Sequence, residues 1–136
     1  MTAKEYLSQA HRLNERINSD LAELDSLRNL AVSISGGSFG ERVQHSRDAD
    51  PPYVKAVMKI CDMEQKINTE IDRLIDLKSE ISTAIGCLTN MDEQMLLRYR
   101  YINNYDWEKI AVLMSVSYRT CHRIHSSALK NFSVPA

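Results

Sequence analysis

Residues Tyr105–Phe132 read YDWEKIAVLMSVSYRTCHRIHSSALKNF, and they hold two short helical patterns that meet at Met114-Ser115-Val116. Asp106 stands where an N-cap belongs, ahead of Trp107, Ile110, Ala111 and Met114; Ser117 stands in the same relation to the final helix. Ala111 is small enough for the inner face of the first helix, where two helices approach closely. Ser115 occupies the left-handed position of the turn, where glycine is usual and serine is strained. After Glu108 the chain carries no further Asp or Glu, yet it carries Lys109, Arg119, Arg123 and Lys130 with His122 and His125. A short helix, a tight turn and an acid-free helix are the parts needed to read a DNA groove.

Rotation of the last helix by about 100° per residue sorts its faces. Cys121, Ile124, Ala128 and Phe132 fall on one side and are expected to pack on Trp107, Ile110 and Leu97. Arg119, His122, Arg123, Ser126 and Lys130 fall on the other. Arg119, His122 and Arg123 are the candidates for base edges, because arginine is the commonest reader of guanine. Ser117, Tyr118, Thr120, Ser126 and Lys130 are the candidates for phosphate and sugar, through hydroxyls, helix-start amides and charge. His125 lies nearer the packed side and reads as a partly buried histidine; Trp107 and Tyr99 read as core.

Upstream, Asn90 with Glu93 three residues on caps a helix through Met95, Leu96, Tyr99 and Ile102, which Asn103-Asn104 breaks. That completes a trihelical unit over residues 89–136. Residues 1–88 have another pattern. Thr2-Ala-Lys-Glu5 is a capping box, followed by Tyr6, Ala10, Leu13, Ile17, Leu24, Leu27, Ala31 and Ile34 at alternating spacings of three and four, with Asp20 as the polar break. Gly36, Gly37 and Gly40 end this helix, and residues 35–52 read as an exposed polar loop. Asp50 before Pro51-Pro52 starts a second long helix. Its seam is read as Val57, Ile60, Ile67, Ile71, Leu74, Ile81 and Ile85, with Glu64 and Lys78 at two seam positions, ending near Gly86. Two such helices joined by a loop fold back most simply as an antiparallel, coiled-coil-like hairpin. The expected fold is therefore all-α: a long hairpin over residues 1–88 and a helix-turn-helix unit over 89–136. A lone hairpin covers one stripe of each helix, so a homo-oligomer through the long helices is expected.

The 136 residues, 43% hydrophobic and 26% charged, suit a folded chain of one domain or a domain with an appendage. The net charge of −1 averages two unlike parts. Residues 1–89 hold 11 Lys/Arg against 14 Asp/Glu, whereas residues 90–136 hold 6 against 4, so the C-terminal part faces phosphate. Cys61, Cys87 and Cys121 show no C-x-x-C spacing, which points to reduced thiols in a cytoplasmic protein and to no metal site. No apolar run is long enough for a bilayer and no signal-peptide core begins the chain, so no membrane partner is expected. Catalysis needs convergent groups, and neither an opposed carboxylate pair nor a nucleophile with its base is legible. GGSFG lacks the lysine of a phosphate-cradling loop. Neither an enzyme nor a cofactor is expected.

The segment LTNMDEQMLLRYRYINNYDWEKIAVLMSVSYRTCHRIHSSAL resembles the region-four domain of sigma factors, which reads the upstream promoter element and touches RNA polymerase. The residues that carry the likeness are Leu96-Leu97-Arg98-Tyr99, Trp107-Glu108-Lys109-Ile110-Ala111, Met114-Ser115-Val116-Ser117 and Thr120 through Leu129. With MTAKEYLSQAHRLNERINSDL and EQKINTEIDRLIDLKSEI ahead of it, the whole chain is similar to a family of small phage and prophage proteins carrying a domain of unknown function. That family is grouped with ArpU-like and RinA-like late transcription regulators. The resemblance implies double-stranded DNA and RNA polymerase as partners, transcription control as the role, and the cytoplasm of a bacterial host as the place. Two other readings stay open: an oligomeric DNA-packaging adaptor of the small-terminase kind, and a polymerase-binding module without DNA contact.

Overall fold

The computed structural model describes residues 1–37 and 51–136, and among these every regular element is helical. The order is α1 (Ala3–Gly37), α2 (Pro52–Ile85), α3 (Met91–Leu97), a π-helical turn (Arg98–Ile102), α4 (Trp107–Met114) and α5 (Tyr118–Asn131). The Asp50 cap, and the part of the expected loop from 38 to 50, lie outside the described residues. No described helix is long and apolar enough to cross a membrane.

The helix starts follow from side chains that satisfy otherwise free amides. Thr2 Oγ1 accepts from the Glu5 amide at 3.2 Å, while the Glu5 carboxylate accepts from the Thr2 amide at 3.4 Å. Asn90 caps α3 by accepting from the Asp92 and Glu93 amides. Asp106 caps α4 through the Lys109 amide at 2.8 Å, and Ser117 caps α5 through the Thr120 amide at 3.1 Å. Glu93 departs from expectation. It is buried, and its carboxylate accepts from Ser127 Oγ at 2.8 Å and from Asn131 Nδ2 at 3.1 and 3.2 Å. The residue expected to reach back to its own cap instead ties α3 to α5.

The chain forms two compact units, one of residues 15–72 and one of residues 1–14 with 73–136. The division falls inside α1 and α2. Its cause is a single apolar cluster in which Leu7, Ala10, Leu77, Ile81, Ile85 and Leu88 pack with Leu96, Leu97, Tyr101, Ile110, Cys121, Ala128 and Phe132. The ends of the long helices thus supply part of the core that holds α3 to α5.

Within residues 15–72, α1 and α2 run in opposite directions. Arg28 pairs with Glu64, Lys66 with Asp20 at 3.6 Å, and Arg16 with Glu70 at 3.1 Å. The seam of α1 matches the reading, with Ile17, Leu24 and Ala31 buried. The seam of α2 matches in part, since Ile67, Ile81 and Ile85 are buried and Ile60 and Leu74 half-buried as read, but it departs at two positions. Ala56, Met63 and Ile67 are buried, whereas Val57 and Ile71 are each 37% exposed. From Ile60, Ile67, Leu74 and Ile81 the next seam residue can lie three or four positions on. The branched residues favoured four, but that register would bring both Glu64 and Lys78 into the seam. The observed register brings in one polar residue, Glu70, and sets it against Asp20.

These two carboxyls lie close enough to share a proton, an interaction that raises the Glu70 pKa and holds Asp20 below the usual carboxylate range, with burial adding to the Glu70 shift. Asp20 Oδ2 and Glu70 Oε1 are buried with no hydrogen-bond partner among the described residues, and one proton between them would satisfy both.

Candidate nucleic-acid interface

α4 ends at Ser115, whose φ of 55° and ψ of 43° are left-handed. Its amide and that of Val116 close the turn onto Val112 and Ala111 carbonyls at 3.1 and 3.0 Å. Ala111 and Ile110 are buried where α4 meets α5, with Cys121 and Ala128 facing them in the same cluster. The strained serine expected at this turn is present, and α5 leaves the turn already capped.

Arg119, Arg123, Ser126 and Lys130 are all exposed. At about 100° per residue they span a narrow sector of α5, opposite the buried line of Cys121, Ala128 and Phe132. Ser117 is exposed and donates its hydroxyl to Thr120 Oγ1 at 2.9 Å, which leaves Thr120 half-buried. Tyr118 is 54% exposed, and its ring lies 4.5 Å from that of His122. Arg123 also borders a groove that it shares with Asn90, Asp92 and Glu93. Of the eight residues singled out from sequence, four therefore form one outward face, Ser117 and Tyr118 stand at the helix start, and Thr120 and His122 lie at the edges.

His122 is half-buried, its ring 4.3 Å from Trp107, and its Nε2 is buried without a hydrogen-bond partner among the described residues. Trp107 touches the core but spends its ring contacts on His122, on His125 at 4.8 Å and on the Arg100 guanidinium at 4.6 Å. His125 shares a 2.8 Å hydrogen bond with the Tyr101 hydroxyl. Burial is the main cause that lowers its pKa to about 4, and Lys4, His122 and Arg100 add to the effect, so it is neutral at physiological pH. Burial likewise pushes the Cys121 thiol up, as befits a small apolar core residue rather than a reactive thiolate.

Sequence reasoning missed the residues that gather around Trp107. Lys4, Ser8 and His11 of α1 line a cavity with Arg100, Asn104, Trp107 and His122. The π-helical turn helps to arrange this: the Asn103 amide bonds to the Arg98 carbonyl at 3.0 Å, five residues back. Arg98 then donates to Ser82 Oγ at 2.6 Å, and Arg100 donates to the Tyr105 carbonyl at 3.1 Å. No local pattern announces a neighbour almost a hundred residues away. A left-handed Asn104, with φ of 57°, was signalled only by the Asn103-Asn104 break.

The match of a family model to residues 23–133 covers most of the chain. The chain belongs to the family described as "Protein of unknown function (DUF1492)". Among curated proteins none matches it, and none of the solved structures does. The matched span of this DUF1492 member takes in all of α2 to α5 and begins inside α1. The family's description names no activity, so a role has to be argued from the side chains.

Proposed function

We propose that this chain is a phage-type transcription regulator that binds promoter-like double-stranded DNA through a helix-turn-helix formed by α4 and α5. The observation that carries this reading is the exposed face of Arg119, Arg123, Ser126 and Lys130 on a capped helix that holds no acid. Its first two turns would meet base edges in the major groove, while Ser117 and Lys130 would meet phosphates. The likeness of residues 88–129 to sigma-factor region four agrees with this use. Residues 1–88 would then serve as a coiled-coil-like hairpin that joins copies of the chain or docks on a partner such as RNA polymerase. Its cytoplasmic place in a bacterial host follows from the same reading.

The test is selection of bound fragments from phage DNA, followed by titration of the selected duplex with the Arg119→Ala, Arg123→Ala double variant. Specific binding should be lost while helical content, read by circular dichroism, stays unchanged. Two fewer phosphate or base charges should also flatten the salt dependence of any residual binding, by about 2 in the slope of log K against log salt. Undiminished binding by the double variant would refute the interface.

One observation favours a second reading, a polymerase-binding module without DNA contact. Val112 is 78% exposed and Leu113 46% exposed on α4, an apolar pair beside the turn. Loss of polymerase pull-down in Val112→Ser, with DNA selection empty for the native chain, would favour that reading.

A further inference from the structure

The cavity beside Trp107 has a volume of about 270 Å³, far more than the roughly 30 Å³ that one water occupies in the liquid. Its charged lining is of one sign. Lys4 and Arg100 line it beside the imidazoles of His11, His122 and His125, and among the described residues no Asp or Glu does. Two polar atoms at this cavity, Asn104 Oδ1 and His122 Nε2, are buried with no hydrogen-bond partner among the described residues. A native interior seldom leaves two such atoms together without a ligand or water to satisfy them.

We propose that this cavity is a binding site for a phosphoryl oxyanion, held by the Arg100 guanidinium, the Lys4 ammonium and the imidazole of His122. Arg100 is already fixed for the task. Its planar group lies over Trp107 and spends one N–H on the Tyr105 carbonyl, which leaves further donors of a five-donor fork. His122 is held by rings on two sides, Trp107 at 4.3 Å and Tyr118 at 4.5 Å, so an N–H at Nε2 is aimed rather than free to swing. Asn104 presents an amide whose oxygen and nitrogen can exchange places by a flip, which turns an unpaired acceptor into a donor. The lowered pKa of His125 has Lys4, His122 and Arg100 among its causes, the mark of a positive field at this spot. A multivalent anion is what such a field favours.

The phosphoryl group has two possible sources, a small phosphorylated ligand or a phosphate of the duplex that flanks α5. Both are tested by following the imidazole signals of His122 and His125 by NMR in the full-length chain. Inorganic phosphate is added in one arm, with chloride at equal ionic strength as control, and the selected duplex in the other. With millimolar phosphate the signals should shift saturably, and the His125 pKa should rise from about 4, because a bound anion favours imidazolium. Lys4 is exposed and outside the apolar cluster, so Lys4→Gln should leave the fold intact and weaken phosphate binding about tenfold, the loss expected for one charge-assisted hydrogen bond. Arg100→Gln should weaken it further.

A response to phosphate alone assigns a small ligand. A duplex response that Lys4→Gln diminishes assigns the DNA backbone. The absence of any response that Lys4→Gln weakens, in both arms, overturns the site. The phosphate arm involves no DNA, so it can fail while Arg119 still carries duplex binding, or succeed when the duplex does not bind.

Discussion

Ser115 is where one side chain and the turn's geometry conflict most openly. A non-glycine residue at φ 55° brings its Cβ close to backbone atoms, and glycine escapes that cost. Glycine also gives the unfolded chain more freedom, which offsets part of the gain. Ser115→Gly is therefore expected to stabilise the protein by about 0.5 kcal/mol, the difference between a left-handed penalty of ~1–2 kcal/mol and an entropic loss of ~0.4–1 kcal/mol. Urea denaturation with an unchanged slope would report it as a raised midpoint. A lowered midpoint would show that the hydroxyl contributes more than the strain costs. This position was legible in the sequence because a tight turn between two capped helices has few other ways to close. His122 was legible only as to its face: periodicity put it outside, but the half-burial comes from Trp107, whose ring lies against it.

At the scale of the element, α2 shows why periodicity alone stops short. The apolar residues at 57, 60, 63, 67, 71, 74, 77 and 81 fit two seams that differ by one residue at every second step. The choice depends on what α1 presents, and α1 presents Asp20 at the level of Glu70. Met63→Ala should therefore cost about 2 kcal/mol in thermal or urea unfolding, and Ile71→Ala less than about 1 kcal/mol. The reverse order would restore the seam through Val57 and Ile71.

The carboxyl pair adds a pH dependence. Glu70 holds its proton above the ordinary value of 4.5, so its contribution is full below 4.5 and lost as pH rises through the raised value. Asp20, lowered from 3.8, contributes above 3.8 and loses that contribution as pH falls through the lowered value. The pair is thus most favourable between the two, with one proton shared, and above the raised Glu70 value two carboxylates confront each other. Glu70→Gln keeps a donor for Asp20 and removes one charge. Its melting temperature, followed across a pH series, should exceed that of the native chain once pH has passed that raised value, with the difference shrinking toward pH 4.5. Parallel profiles for the two proteins would mean that no proton is shared.

For the whole molecule, the decisive feature is that the trihelical segment does not own its core. Leu96, Leu97, Tyr101 and Ile110 are buried against Leu7, Ala10, Leu77, Ile81 and Ile85, and Tyr6 lies 5.9 Å from Phe132 ring to ring. The Arg98 side chain is anchored on Ser82. A cut at residue 89, where composition and charge change, would uncover this apolar face and leave a piece near the size below which domains seldom fold alone. A fragment of residues 89–136 is therefore expected to show weak helicity and no cooperative melt, while the full chain unfolds in a sigmoidal transition. A cooperative melt of the fragment would mean that the long-helix ends only cap a unit already complete. The expected result has a consequence for binding experiments. Under the proposed role, a truncated chain that bound no duplex would report a lost core rather than a lost contact, so the Arg119 and Arg123 substitutions need the full-length protein to be read as contacts.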